Sequence, residues 1–158
     1  MVLFEKLANQ VNIENVKEVT VNRQDAMRGR VRTKLSDGED LIINLPRGQP
    51  IEQGDVFGPS ENGDYYKILI QPELVIRVTI HESQSTETIE NAVKLGYNLG
   101  NRHLEVLVED NAVFVPVTIG EEKVRKILSS MKLPIRFESI QKVISMSSAG
   151  YHGGEEEE

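Results

Sequence analysis

The sequence predicts an α+β protein: a small all-β domain at residues 1–72, a ferredoxin-like βαββαβ domain at residues 73–145, and a flexible acidic tail at residues 146–158. Three observations lead to this prediction. The first half alternates short apolar runs with turn residues and offers no helix of useful length. After Pro72, strand and helix patterns follow in the order β-α-β-β-α-β. The end, SMSSAGYHGGEEEE, has too little apolar surface to offset the entropy of ordering.

The first domain consists of predicted strands separated by turns. A strand is expected around Glu18 to Val21, and MRGRVRTKL alternates with the period of two that a strand requires. An Asp-Gly turn in SDGED leads into LIINL, and LPRG and EQGD interrupt the chain again. DVF and, after the ENGD turn, YYKILI complete the strands of this domain.

The second domain begins with the strand LVIRVTI, followed by a helix that Ser85 precedes, TETIENAVKLGYNLG. The apolar residues of this helix fall mostly at helical spacings: Ile89, Val93, Leu95 and Leu99. LEVLVED, a turn at Asp110-Asn111 and AVFVPVTI predict two further strands. A second helix, GEEKVRKILSSMKL, and a strand around IRFESIQKVI complete the order. This order is typical of a four-stranded antiparallel sheet with two helices on one face.

Composition limits the chemistry of any site. The chain of 158 residues has no cysteine, which removes disulfides, thiolate nucleophiles, zinc fingers and iron–sulfur clusters. A metal must therefore be held by nitrogen and oxygen atoms, and His81, His103 and His152 are the three histidines. The net charge of −7 opposes binding to nucleic acid. With no run resembling a membrane span or a secretory signal, we expect a cytoplasmic protein and no membrane partner.

The segment GYNLGNRH, residues 96–103, puts two glycines into the predicted helix just before His103. Each glycine weakens a helix by about 1 kcal/mol relative to alanine. Gly96 and Gly100 lie on one face and would let a second helix, or the same helix of a two-fold partner, approach closely. In a two-fold dimer, two copies of His103 could then share one metal ion. Alternatively, Gly100 ends the helix at its C′ position and His103 lies near the negative end of the helix dipole. Spacing alone favours this second arrangement.

GYNLGNRH resembles the signature of the urease accessory protein UreE family, whose members carry an LGNRH-type segment at the end of the first helix of their second domain. DGEDLIINLPRGQPIEQGDVF resembles the pattern of the first domain of that family. The order of a β domain followed by β-α-β-β-α-β also agrees with the family, so the resemblance covers nearly the whole chain up to about residue 145. The resemblance implies a homodimeric nickel metallochaperone rather than an enzyme. Such a protein delivers Ni²⁺ to apo-urease together with other urease accessory proteins, including a GTPase.

The resemblance also implies the site. His103 corresponds to the metal-binding histidine of the family, and Gly100, Asn101 and Arg102 form its surroundings. His152 corresponds to a histidine of the tail that supplements the site. The tail has one histidine instead of a run, so delivery of one ion is expected rather than storage. Zn²⁺ or Cu²⁺ can bind the same imidazoles, and His81 and the carboxylates of Glu155 to Glu158 are at most auxiliary.

A basic stripe on the first domain permits other interpretations. Its residues alternate in one predicted strand: Arg28, Arg30, Arg32 and Lys34. The stripe is either a solvated strand face or a docking surface for an acidic protein partner. With Tyr65 and Tyr66 it would serve an RNA-binding module, although the strands of the second domain carry no RNP-like aromatic pair.

An enzyme would use His103 as a general base oriented by Glu105 or Glu109. These carboxylates alternate along a predicted strand and are more simply its solvent face. The sequence has no nucleophile elbow and no phosphate-binding glycine loop, so no complete catalytic set is present.

Overall fold

The computed structural model describes residues 1–9, 13–81 and 85–144. It is an α+β structure made mostly of sheets, with few helices. The chain forms two compact units, Met1–Gln71 and Pro72–Lys142, and Val143 and Ile144 belong to the first. Within the described ranges, no helix combines the length and the apolar character needed to cross a bilayer.

The first unit contains two three-stranded sheets that share one apolar core. Its strands are β1 Val2–Phe4, β2 Val16–Val21, β3 Arg30–Lys34, β4 Asp40–Asn44, β5 Val56–Phe57 and β6 Tyr65–Ile70. One sheet has the order β1-β4-β3, in which β1 is parallel and β3 antiparallel to β4. The other has the order β2-β6-β5, in which β2 is parallel and β5 antiparallel to β6. A 3₁₀ turn, Ile13–Asn15, precedes β2.

The prediction that the first domain is all-β is wrong in one place, because helix α1 spans Arg23–Arg28. Asn22 caps this helix, its side-chain oxygen accepting a hydrogen bond from the Asp25 N–H at 2.8 Å. Gly29 ends it with a φ of 67°, and an added Cβ would overlap the carbonyl oxygen of Gln49. A helix of six residues is too short to show apolar periodicity, so the pattern of the sequence could not reveal it.

The second unit has the element order β-α-β-β-α-β. Its elements are β7 Glu73–Ile80, α2 Ser85–Asn101, β8 Leu107–Glu109, β9 Ala112–Pro116, α3 Glu121–Ser130 and β10 Ile135–Lys142. The four strands form an antiparallel sheet of order β10-β7-β9-β8. The turn predicted at Asp110-Asn111 is confirmed, since both residues have positive φ, 52° and 57°, and join β8 to β9.

One apolar cluster holds the second unit together. Its buried members come from β7, α2, β9 and α3: Ile76, Val78, Leu95, Leu99, Val115, Val124 and Leu128. Because both helices contribute to this single cluster, they cover the same face of the sheet. The cluster fixes the orientation of α2, which positions the segment that ends at His103.

Candidate metal centre at the end of the second helix

Helix α2 ends in a Schellman motif centred on His103. The N–H of His103 donates to the carbonyl of Gly100 at 3.0 Å, and the N–H of Leu104 donates to the carbonyl of Leu99 at 3.2 Å. Leu104 also packs against the apolar cluster that contains Leu99. These bonds fix the backbone on both sides of the imidazole.

His103 is the residue in the left-handed conformation at this helix end, with a φ of 54°. The alternative in which Gly100 occupies the C′ position is therefore not the arrangement observed, because Gly100 lies inside α2 and accepts a closing hydrogen bond. A non-glycine residue in this conformation is strained by about 1–2 kcal/mol. Helix α1 uses Gly29 at the equivalent position, so the chain places histidine where glycine is sterically preferred.

The side chain of His103 is exposed, as are Asn101 and Arg102 beside it. Among the described residues, no group of three or more histidine, aspartate and glutamate side chains could hold a metal ion. The described part of one chain therefore offers a single accessible imidazole at this position and no complete coordination shell.

The glycines of α2 face open space. A Cβ added to Gly96 or to Gly100 would meet no atom within 4 Å, and both residues are exposed. Packing within the described chain thus gives no reason for glycine at either position. Since each glycine weakens the helix by about 1 kcal/mol, the described residues leave both glycines without a packing explanation.

An apolar stripe accompanies these glycines on α2. Ile89, Val93 and Tyr97 follow one another at intervals of four residues and are 65%, 66% and 72% exposed. In a helix these positions lie on the same side as Gly96 and Gly100. The core-facing side of α2 is formed instead by Leu95 and Leu99, both fully buried. The helical spacing predicted from sequence is confirmed, but Ile89 and Val93 do not enter the core.

The other two histidines differ in their surroundings. The Nε2 atom of His81 accepts a hydrogen bond from Nε of Arg136 at 3.3 Å, so its lone pair already has a partner. His152 and the tail residues Glu155 to Glu158 lie outside the described residues. Among the described histidines, only His103 leaves both ring nitrogens without a hydrogen bond to another described residue.

The basic stripe of the first unit is only partly a strand face. Arg30, Arg32 and Lys34 are exposed on β3, whereas Arg28 is the last residue of α1 and donates to Asp25 at 3.0 Å. The prediction of a single strand face for all four residues is therefore wrong at Arg28. Arg28 nevertheless lines the same groove as Arg30 and Arg32.

A polar network that sequence patterns did not single out joins α3 to β10. Ser139 donates its hydroxyl proton to Glu121 at 2.6 Å, and Nε of Arg125 donates to the same carboxylate oxygen at 3.3 Å. The Ser139 hydrogen bond, followed by the Arg125 hydrogen bond, lowers the pKa of Glu121. The spacing of Glu121 and Arg125 by four residues is a sequence signal for half of this network. Its contacts fasten α3 to the sheet rather than build a ligand site.

Comparison with known proteins identifies the family resemblance. Residues 4–68 match the model described as the N-terminal domain of the UreE urease accessory protein. Urease accessory protein UreE of Yersinia aldovae is 28% identical over 126 residues, which cover 75% of this chain and 55% of that protein. The proteins of the same name from Yersinia pestis strain Pestoides F and Yersinia pseudotuberculosis serotype O:1b are 27% identical over 154 residues, 87% of this chain and 67% of each relative.

The chain thus spans just over half the length of the first relative and two thirds of the other two. UreE is a family of accessory proteins and not of enzymes. The match to the first domain and the relatives that extend across the second both confirm that the chain resembles the urease accessory protein UreE family.

Proposed function

We propose that the chain is a cytoplasmic nickel metallochaperone that delivers Ni²⁺ to apo-urease and holds the ion between two copies of itself. The observation that carries this proposal is the exposed imidazole of His103, held by the Schellman motif at the end of α2 beside two glycines that face open space. The urease accessory role of the relatives supports the proposed recipient.

A two-fold dimer of the second unit, a ferredoxin-like metal-binding and dimerisation domain in this proposal, would complete the site. Two-fold symmetry brings identical patches together, so an exposed ligand near the axis occurs twice. Gly96 and Gly100 would admit close approach of the second chain, and the stripe of Ile89, Val93 and Tyr97 would supply apolar surface to bury. Each His103 would contribute one nitrogen ligand to a shared ion, with Asn101 and Arg102 at its margin.

Two imidazoles leave a divalent ion with open coordination positions. Water, His152 from either tail or a tail carboxylate would fill them. Such a site suits a carrier, because ligands that a partner can replace one by one permit transfer, whereas a closed shell resists it. Imidazole also binds Zn²⁺ and Cu²⁺, so nickel as the cargo rests on the family relationship and not on ligand chemistry.

Delivery requires recognition of urease apoprotein and of the other accessory proteins, including the GTPase. The basic groove of the first unit, lined by Arg28, Arg30 and Arg32 and extended by Lys34, is the proposed docking surface for an acidic segment of that machinery. Charged surfaces of this kind mainly accelerate encounter and select partners.

Calorimetric titration with Ni²⁺ tests the metal site. The tight site is expected to disappear in His103→Ala and to weaken in His152→Ala. His81→Ala serves as the matched control, since His81 is engaged by Arg136 and should leave the titration unchanged. A tight site that persists in His103→Ala would overturn the proposal.

A further inference from the structure

The outward face of β3 carries positive charge that the neighbouring carboxylates neutralise only in part. Arg30 and Lys34 have no carboxylate within salt-bridge distance among the described residues, whereas Arg32 contacts Asp40 at 3.4 Å. Two carboxylates, Glu5 and Asp25, line the neighbouring groove, and Asp25 is already bound by Arg28. β3 is also an edge strand, so its outer side has no strand partner in the described sheet.

Two apolar residues, Leu3 of β1 and Ile42 of β4, form an apolar row beside these cations. Ile42 is the register partner of Leu3 on one side and of Arg32 of β3 on the other, so the row leads directly to Arg32. Leu3 is 49% exposed and lines the same groove as Ile42, Arg30 and Arg32. The face therefore places two apolar side chains, Leu3 and Ile42, next to the cations of β3, which fits a segment that carries both an apolar group and carboxylates.

The chain itself contains a segment with this chemistry. Val143 packs against the core of the first unit, and the buried Ile144 belongs to the same unit, so the chain leaves the described structure from the unit that bears β3. Beyond this point the sequence continues through Tyr151 to four consecutive glutamates, Glu155 to Glu158.

The segment between Ile144 and the four glutamates is long enough for the glutamates to reach distant parts of the first unit. Residues 145–154 separate Ile144 from the glutamates, and ten residues reach about 35 Å when extended and about 17 Å on average as a random coil. A compact unit of some seventy residues has a radius of gyration of about 11 Å. Much of the surface of the first unit therefore lies within reach of the glutamates.

We propose that the acidic segment Glu155–Glu158 docks onto the basic face of β3 in the same chain, with Tyr151 free to cover the apolar row. A tether of this length gives an effective concentration in the millimolar range, well above that of a dilute external competitor. Exposed ion pairs contribute little individually, so docking requires several at once and is reversible and sensitive to salt. The segment would have to be displaced before an acidic partner could use the same face. This inference does not rest on the proposed metal function.

Backbone amide NMR spectra of the full chain test the proposal. In low salt, replacing all four glutamates with glutamine should shift the amide resonances of β3 and leave those around Arg47, an exposed arginine of the same unit, unchanged. The difference between the two spectra should disappear in about 0.5 M salt, where the Debye length falls to a few ångströms. Glu→Asp at the same four positions should retain the spectrum of the original chain.

Variants of the face provide the reciprocal test. Arg30→Gln together with Lys34→Gln should shift the amide resonances of residues 155–158, whereas Arg47→Gln should not. Unchanged β3 resonances in the glutamine variant would overturn the proposal. It would also be overturned if the shifts grew with protein concentration, because the glutamates of another copy would then occupy the face.

Discussion

Replacing His103 with glycine is expected to stabilise the metal-free protein while removing the proposed ligand. His103 has a φ of 54°, a conformation that costs a residue with a Cβ about 1–2 kcal/mol. Glycine increases the entropy of the unfolded chain, which offsets roughly 0.4–1 kcal/mol of that gain. The net increase in the free energy of unfolding is therefore about 0–1.6 kcal/mol, with a central value of about 0.8 kcal/mol. For a unit of this size, the central value corresponds to a rise in Tm of roughly 3–6 °C.

Thermal unfolding with a chelator present measures this effect without a contribution from metal, and repeating it at several protein concentrations shows whether assembly contributes. His103→Ala is the necessary comparison, because alanine removes the imidazole but keeps the Cβ that causes the strain. Lys132, which follows α3 with a φ of 53°, is the matched control. Lys132→Gly should raise Tm by a similar amount and leave Ni²⁺ binding unchanged.

If Lys132→Gly gains stability but His103→Gly is no more stable than His103→Ala, then His103 does not hold the left-handed conformation in the free chain. The Schellman motif would then not hold the imidazole in the observed position.

Gly100→Ala should stabilise α2 by about 1 kcal/mol, because the added methyl group meets open space, yet weaken self-association. Light scattering that shows an unchanged dimer would contradict close approach at this glycine. Ser139→Ala should raise the pKa of Glu121 in a carboxylate NMR titration. Because its pKa is lowered on folding, ionised Glu121 stabilises the folded state at pH above its usual pKa of 4.5, and this contribution is lost as pH falls through the folded pKa. The difference in stability between the original chain and Ser139→Ala should therefore be smaller in strong acid than at neutral pH. Equal differences at neutral and strongly acidic pH would contradict this. Ni²⁺ affinity should fall below about pH 6, since imidazole binds metal only when neutral; constant affinity in acid would exclude histidine ligands.

The long elements could be predicted because burial imposes a period on them. In α2, Leu95 and Leu99 recur at a helical interval and are fully buried, and YYKILI alternates into the core of the first unit as β6. β1, with three residues, and α1, with six, could not be predicted because they are too short to show a periodic pattern of apolar residues. Their positions depend on strand pairing and helix capping.

The candidate site was only half predictable. The sequence draws attention to His103 through the glycines before it, but apolar periodicity cannot say which apolar residues of an amphipathic helix face the core. Ile89 and Val93 continue the period of α2 and yet are exposed. The sequence does contain an indication of the Schellman motif. Leu99 and Leu104 are apolar residues at the two positions, before and after the helix end, that commonly contact each other in this motif.

Native mass spectrometry of mixed dimers tests the sharing of one ion most directly. Co-refolding the original chain with His103→Ala would give three dimers, distinguishable by a mass tag, in which the number of His103 imidazoles is two, one or none. The account predicts one tightly held Ni²⁺ in the dimer with two imidazoles and a loss of tight binding in the mixed dimer. A mixed dimer that retains Ni²⁺ as firmly as the original would contradict it.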